Sequence, residues 1–188
     1  MKTTNNTMLI TGGTSGLGLG LAQRFHALGN TVIIAGRRAD LLDETVAAHR
    51  GMESVVLDVS DPESIASAYK SVTAAHPELN VLINMAGIML PENLLDGSAL
   101  PVAEDTITTN LLGPIRMLNA FVPFLVGRDD AVVMNVSSGL AFVPLPSHPR
   151  TTRRRQPSTR TRRACACSWP TPGSRCSSWS RRRSRRHC

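Results

Sequence analysis

At 188 residues the chain has room for one domain with a substantial core, and no apolar run is long enough to span a bilayer. No apolar h-region follows Lys2, where polar Thr and Asn stand instead, so a secretory leader is not expected and a cytoplasmic location is. The net charge of +7 does not establish a nucleic-acid-binding protein, because it averages two unlike parts: residues 147–188 carry thirteen arginines and no acid, whereas residues 1–146 hold eight basic and fourteen acidic groups, a net −6.

In chain order, the runs Met8-Leu9-Ile10, Val32-Ile33-Ile34-Ala35, Val55-Val56-Leu57, Val81-Leu82-Ile83 and Val132-Val133-Met134 predict five strands. They are short and nearly continuous, as expected of strands covered on both faces of a parallel sheet. Helical periodicity lies between them. Leu17, Leu21, Phe25 and Leu28 form one stripe, Ile65, Ala68, Tyr69 and Val72 a second, and Ile107, Leu111, Ile115, Leu118, Val122 and Leu125 a third, with a weaker helix over 40–49. Gly29-Asn30 punctuates the first helix, and Asp61-Pro62-Glu63 opens the one that carries Tyr69. This alternation predicts an α/β protein: a Rossmann-type doubly wound parallel sheet with right-handed crossovers.

The first strand runs into Thr11-Gly12-Gly13-Thr14-Ser15-Gly16-Leu17-Gly18, and a helical stripe starts at once. Glycine at the strand exit allows a positive φ. Missing side chains at Gly16 and Gly18 let the backbone approach a pyrophosphate and let the helix lie close to the sheet, while the helix N-terminus offers unpaired N–H groups to the anion. Thr14 and Ser15 can donate hydroxyls to phosphate or act as local caps.

The spacing Thr-Gly-x-x-x-Gly-x-Gly resembles that of the short-chain dehydrogenase/reductase superfamily, and further motifs follow in order. Asp58-Val59 resembles the pair whose acid contacts adenine, and Asn84-Met85-Ala86-Gly87 resembles the family's Asn-Asn-Ala-Gly. Asn110, in Thr109-Asn110-Leu111-Leu112-Gly113, resembles the helix asparagine that holds a proton-relay water. Asn135-Val136-Ser137-Ser138-Gly139 resembles the strand end bearing the catalytic serine, which falls on Ser138. The resemblance covers about residues 7–146. It implies Gly12, Thr14, Ser15, Gly16, Leu17, Gly18, Arg37, Asp58, Val59, Asn84, Ala86 and Gly87 as cofactor-binding residues, Asn110 and Ser138 as catalytic ones, no metal, and a homo-oligomeric intact protein. Taken singly, Asp58 also reads as a helix-approach cap, Asn84 as a tie between strand ends, and Ser137 and Ser138 as turn residues.

Ala35-Gly36-Arg37-Arg38, after the second strand, supplies no carboxylate for a ribose 2′-OH but supplies guanidinium for a 2′-phosphate. NADP is therefore expected over NAD, with Arg37 as the phosphate ligand and Arg38 read as a solvated surface charge. The substrate is expected to be a small carbonyl or alcohol. The family chemistry also needs a tyrosine that transfers the proton and a lysine that lowers its pKa. The sole Tyr is Tyr69 and the two Lys are Lys2 and Lys70, all upstream of Ser138. The Tyr-x-x-x-Lys pair is absent.

Residues 147–188 lack Val, Ile, Leu, Met, Phe and Tyr and hold both Trp and all four Cys. With almost nothing to bury, this tail is expected to be disordered in isolation, and 1–146 to form the nucleotide-binding domain. Its bias is that of GC-rich coding sequence read out of frame. Regrouping degenerate codons to start on the third base, Arg150 through Ser158 permits Tyr-Asn-Ala-Thr-Lys-Ala-Ala-Ile, at the family's distance from Ser138. Ala164 to Trp179 then permits an amphipathic helix end and a buried strand. The expectation is one base lost, or two gained, in the codons for about Pro144 to His148, leaving the sheet incomplete at its C-terminal side with the fifth strand an open edge.

Two other functions follow from the same residues. One is a dinucleotide-binding protein without catalysis. The other is an arginine-rich RNA- or DNA-binding tail on a folded platform, for which the tail offers no recognition module, so no specific nucleic-acid partner is expected. Cys165, Cys167, Cys176 and Cys188 do not match a structural zinc spacing.

Overall fold

Residues that alternate along a parallel strand must be covered on both sides, and the sheet shows where the covering comes from. The computed structural model describes residues 2–91 and 99–139, with the backbone of Cys167–Ser168. Strands β1 (Thr7–Thr11), β2 (Thr31–Gly36), β3 (Glu53–Val56), β4 (Val81–Asn84) and β5 (Val132–Asn135) are parallel neighbours in the order β3-β2-β1-β4-β5. Helices α1 (Gly16–Ala27), α2 (Ala39–Ala48), α3 (Pro62–Ala75), α4 (Leu100–Ile107) and α5 (Gly113–Leu125) connect them, and a five-residue π-helical segment, Thr108–Leu112, joins α4 to α5. Leu9, Ile33, Leu82 and Val133 pack with Ile65, Ala68 and Val72 of α3 and Met117, Phe121 and Leu125 of α5. Their neighbours Met8, Ile10, Val32, Ile34, Val81 and Ile83 pack on the other face with Ala22 of α1 and Leu42 of α2. The expected doubly wound parallel sheet is thus observed.

The strand order reverses at β1, which lies between β2 and β4. That switch point opens a crevice at the C-terminal strand ends, where ligands of such sheets bind. At the opposite end, side-chain amides replace missing strand partners. Asn30 is 4% exposed. It accepts from the Asn6 backbone N (2.9 Å) and Nδ2 (2.8 Å) and donates to the carbonyls of Thr3 (2.9 Å) and Phe25 (2.7 Å). Asn30→Ala leaves the buried Asn6 amide without its acceptor, whereas Asn6 Nδ2 keeps the Lys2 and Thr4 carbonyls and the Phe25 carbonyl keeps its backbone donors, so the expected cost is about 1–3 kcal/mol by urea denaturation. A loss within a few tenths of the parent would show that water replaces the amide.

Four sequence expectations need correction. First, β3 begins two residues earlier than the run 55–57 and is not covered on both faces: it is the sheet's edge, and Val56 is 55% exposed. Second, the buried face of α1 is Gly18 and Ala22, flanked by partly buried Leu21 and Phe25, whereas Leu17 and Leu28 are exposed. Third, the stripe from Ile107 to Leu125 is not one face. The buried residues run Thr106, Thr109, Gly113, Met117, Phe121 and Leu125, and Ile115 is exposed. The buried positions keep a helical period close to 3.6 throughout and are displaced from the apolar stripe because small residues, Thr109 and Gly113, take the inward places that hydrophobicity does not mark. Fourth, the β5 edge is not fully open. β6 (Cys167–Ser168) pairs antiparallel with Val132 and Val133, because unpaired edge groups template another strand. The remainder of 147–188 lies outside the described residues. Among the described residues, no helix is long and apolar enough to cross a membrane.

Candidate functional site

The strand ends at the switch point form one cleft of about 490 Å³. On its floor, β1 passes to α1 through the glycine turn. Gly12 has φ 71°, and its amide donates to the Ala35 carbonyl at 2.8 Å. An added Cβ there would also fall 2.9 Å from Ala86 Cα. Gly16 has φ 54° and opens the helix. A Cβ on Gly18 would fall 2.9 Å from the Gly12 carbonyl carbon, closer still to its oxygen, so the first turn of α1 rests directly on the turn beneath it.

Ser15 is the N-cap in extended backbone, yet its side chain makes no capping bond, and no acid occupies the first turn. The positive end of α1 therefore lacks an internal counter-charge at the point where Thr14, Ser15 and Leu17 line the cleft.

The opposite wall comes from the chain leaving β4. The Thr11 hydroxyl accepts from the amides of Met85 and Ala86, both at 3.0 Å, so the end of β1 sets the path of Met85-Ala86-Gly87. Asn84 lies beneath this wall, 4% exposed, and donates to Asn135 Oδ1 at 2.9 Å. It ties the ends of β4 and β5 and is not among the residues that line the cleft. Asn110, in the π segment, accepts from the Ile88 amide (2.8 Å) and donates to the Ile88 carbonyl (2.7 Å). Its side-chain amide thus holds that backbone from both its oxygen and its nitrogen.

Asp58 and Val59 line the cleft beyond β3. Asp58 Oδ1 accepts from the Ser60 amide (2.8 Å) and hydroxyl (2.6 Å), closing a tight turn. The cap of α3 is Asp61, which accepts from the Glu63 amide at 2.9 Å, so Asp58 is not that cap. Arg37 and Arg38 are exposed, line the cleft, and have no carboxylate partner among the described residues. Arg38 thus belongs to the cleft as well as to the surface. Ser137 and Ser138 line the side nearest β5.

Neither Tyr69 nor a lysine joins them. Tyr69 packs edge-on against Phe121 (5.3 Å, 81°) and Phe124 (6.3 Å, 88°) between α3 and α5. Lys2 pairs with Asp130 at 2.6 Å, and Lys70 is exposed on α3.

Sequence reasoning does not single out Thr11, Ile88 or Thr109, which also line the cleft. Thr11 had a visible signal, a hydroxyl at the exit of a buried strand. Ile88 and Thr109 had none, since they meet the cleft through the π segment. The residues present fit a dinucleotide: a floor without side chains, an unbalanced helix N-terminus, two guanidiniums and one acid at the far end.

A glycine turn beneath a helix N-terminus, at the switch point of a doubly wound sheet, defines a dinucleotide-binding α/β protein. The family model described as short chain dehydrogenase matches residues 6–150, and the chain belongs to that family, whose members bind NAD(P). It is similar to an uncharacterized oxidoreductase, DltE, of Bacillus subtilis, with 40% identity over 150 residues covering 79% of this chain and 60% of that one. It is 32% identical over 142 residues to serine 3-dehydrogenase of Agrobacterium fabrum, covering 74% of this chain and 56% of the relative. A crystal structure of a short-chain dehydrogenase from Streptomyces avermitilis superposes with a TM-score of 0.75 at 28% identity, covering 84% of this chain and 58% of that one. The chain thus spans 60% or less of the length of these relatives.

Proposed function

We propose that the intact protein is an NADP-dependent oxidoreductase acting on a carbonyl or alcohol carbon of a small molecule, and that the chain as written binds the dinucleotide without turnover. One observation carries the NADP reading: two guanidiniums without carboxylate partners among the described residues line the cleft beyond β2, where no acid stands to receive a ribose 2′-OH. Likeness to an oxidoreductase and to a serine dehydrogenase supports the class of reaction. A bound nicotinamide supplies the hydride chemistry.

The protein's own residues do the rest. The α1 N-terminus, Thr14 and Ser15 hold the pyrophosphate, Arg37 forks onto the 2′-phosphate, and Asp58 meets the adenine end. Ala86 and Gly87 present backbone to the nicotinamide half, and Asn84 acts from beneath by fixing the strand ends. Ser138 offers its hydroxyl to the substrate oxygen, where negative charge develops. Asn110, whose side chain also holds the Ile88 backbone, serves the proton path through its helix and a water. Proton transfer itself lacks its acid, because Tyr69 is packed between helices away from the cleft. For the chain as written this favours the second reading, a dinucleotide-binding protein without catalysis. The composition break after residue 146 supports the division there, and the missing Tyr-x-x-x-Lys pair supports an out-of-frame origin for 147–188.

Titration of the full chain with NADPH, followed by nicotinamide fluorescence, tests the binding reading. Saturable enhancement is expected, and its absence would overturn the assignment. Arg37→Ala is expected to weaken NADPH at least about tenfold while leaving NADH nearly unchanged, since a guanidinium–phosphate bond contributes roughly 1.5–3 kcal/mol. Equal effects on the two coenzymes would remove Arg37 from the 2′-phosphate.

A further inference from the structure

The π segment and the start of α5 together touch both halves of the cleft through residues three apart. Asn110 holds the Ile88 backbone on the nicotinamide side. Gly113 lies against the loop after β3, where an added Cβ would meet Val59 Cγ2 at 3.0 Å and the Val59 carbonyl oxygen at 3.1 Å. Arg116 reaches the same loop and donates from Nη1 to the Ser60 carbonyl at 2.6 Å. Ser60 is the residue whose amide and hydroxyl bind Asp58 Oδ1. Arg116 is not among the residues lining the cleft, whereas Asp58 and Val59 are.

From this we infer that Arg116 is a positioning residue for the adenine end of the dinucleotide. It anchors the Asp58–Ser60 turn to α5, which continues directly from the π segment that anchors the Ile88 backbone, so one continuous helical stripe sets the two ends of the cleft in register. The physical basis is a charge-assisted hydrogen bond to a peptide that no side chain of its own loop holds from that side. Without it, the turn keeps its ties to α3, from the Asp58 amide to Ser64 Oγ (3.0 Å) and from the Asp61 amide to the Asp58 carbonyl (3.2 Å), but the Ser60 carbonyl loses its charged donor and nothing from the far wall sets how close Asp58 lies to the glycine turn. The Asp61 cap of α3 is left in place, so the loss falls on the turn and not on the helix that follows.

The inference rests on the cofactor reading above, and two fragments separate it from that reading. In the full chain, Arg116→Met is expected to weaken NADPH and adenosine 2′,5′-bisphosphate in the same proportion, about tenfold. Affinity for reduced nicotinamide mononucleotide should be unchanged. Arg116→Lys, which keeps a charged donor, should lose only about threefold. Bisphosphate affinity equal to the parent's in Arg116→Met, or a loss shared equally by the mononucleotide, overturns the inference. Should Arg116→Met fail to fold, Arg116→Lys decides it by the ratio of bisphosphate to mononucleotide affinity: a fall supports the role and an unchanged ratio overturns it. Failure of the parent chain to bind NADPH would instead overturn the cofactor reading.

Discussion

Gly18→Ala is expected to abolish measurable NADPH binding and to destabilise the fold by about 1–3 kcal/mol, the range for forcing a methyl into a filled site. The methyl has nowhere to go. It would meet the Gly12 carbonyl, a backbone group fixed by the Gly12 amide's bond to Ala35. Relief requires the first turn of α1 to lift, and that turn carries the amides that face the cleft. Gly20→Ala is the matched control, because nothing lies within 4 Å of its added Cβ. In a helix interior it should stabilise by about 0.5–1 kcal/mol and leave binding intact. Urea denaturation and NADPH fluorescence read both variants. Parent-like binding by Gly18→Ala would mean that the glycine turn does not cradle the pyrophosphate.

Restoring one base in the codons for about Pro144 to His148 is expected to open a frame encoding Tyr-x-x-x-Lys and to convert a binding protein into an NADPH-consuming reductase. A positioned general acid is worth roughly 10²–10⁴ in rate, so the repaired chain should exceed the original by at least about that factor. In the repaired chain, Ser138→Ala should then remove a further factor of about 10²–10³ with little change in NADPH affinity, since the serine acts on the substrate oxygen and not on the nucleotide. The repair should also complete the sheet. Because it re-encodes Cys167–Ser168, the strand that covers Val132 and Val133 in the chain as written gives way to strands encoded in the restored frame. Sequencing the coding DNA comes first, and a restored frame without the tyrosine and lysine would end the proposal. So would a repaired chain that binds NADPH yet oxidises none of it across a panel of aldehydes and ketones.

Much of the site was legible because its elements are local. The glycine turn, the helix it opens and the Asp61-Pro62 start of α3 are each written within a few residues. The central strands β1, β2, β4 and β5 show themselves as apolar runs because helices cover both of their faces. The motif order also placed Gly12, Thr14, Ser15, Leu17, Gly18, Arg37, Asp58, Val59, Ala86, Gly87 and Ser138, all of which line one cleft.

Other properties depended on neighbours remote in sequence. Only the sheet order makes β3 an edge and exposes Val56, and only the packing of α5 on the sheet turns Ile115 outward and Met117 inward. Asn84 meets Asn135 and lies below the cleft, Thr11 meets the amides after β4, and Arg116 meets Ser60, in each case across more than fifty residues of chain. The sequence by itself therefore determined the parallel architecture and the glycine cradle, since short-range sterics and the burial of apolar runs act within one element. Tertiary structure decided which polar side chains touch the cleft and which only brace it, because that depends on where the crossovers bring distant backbone together.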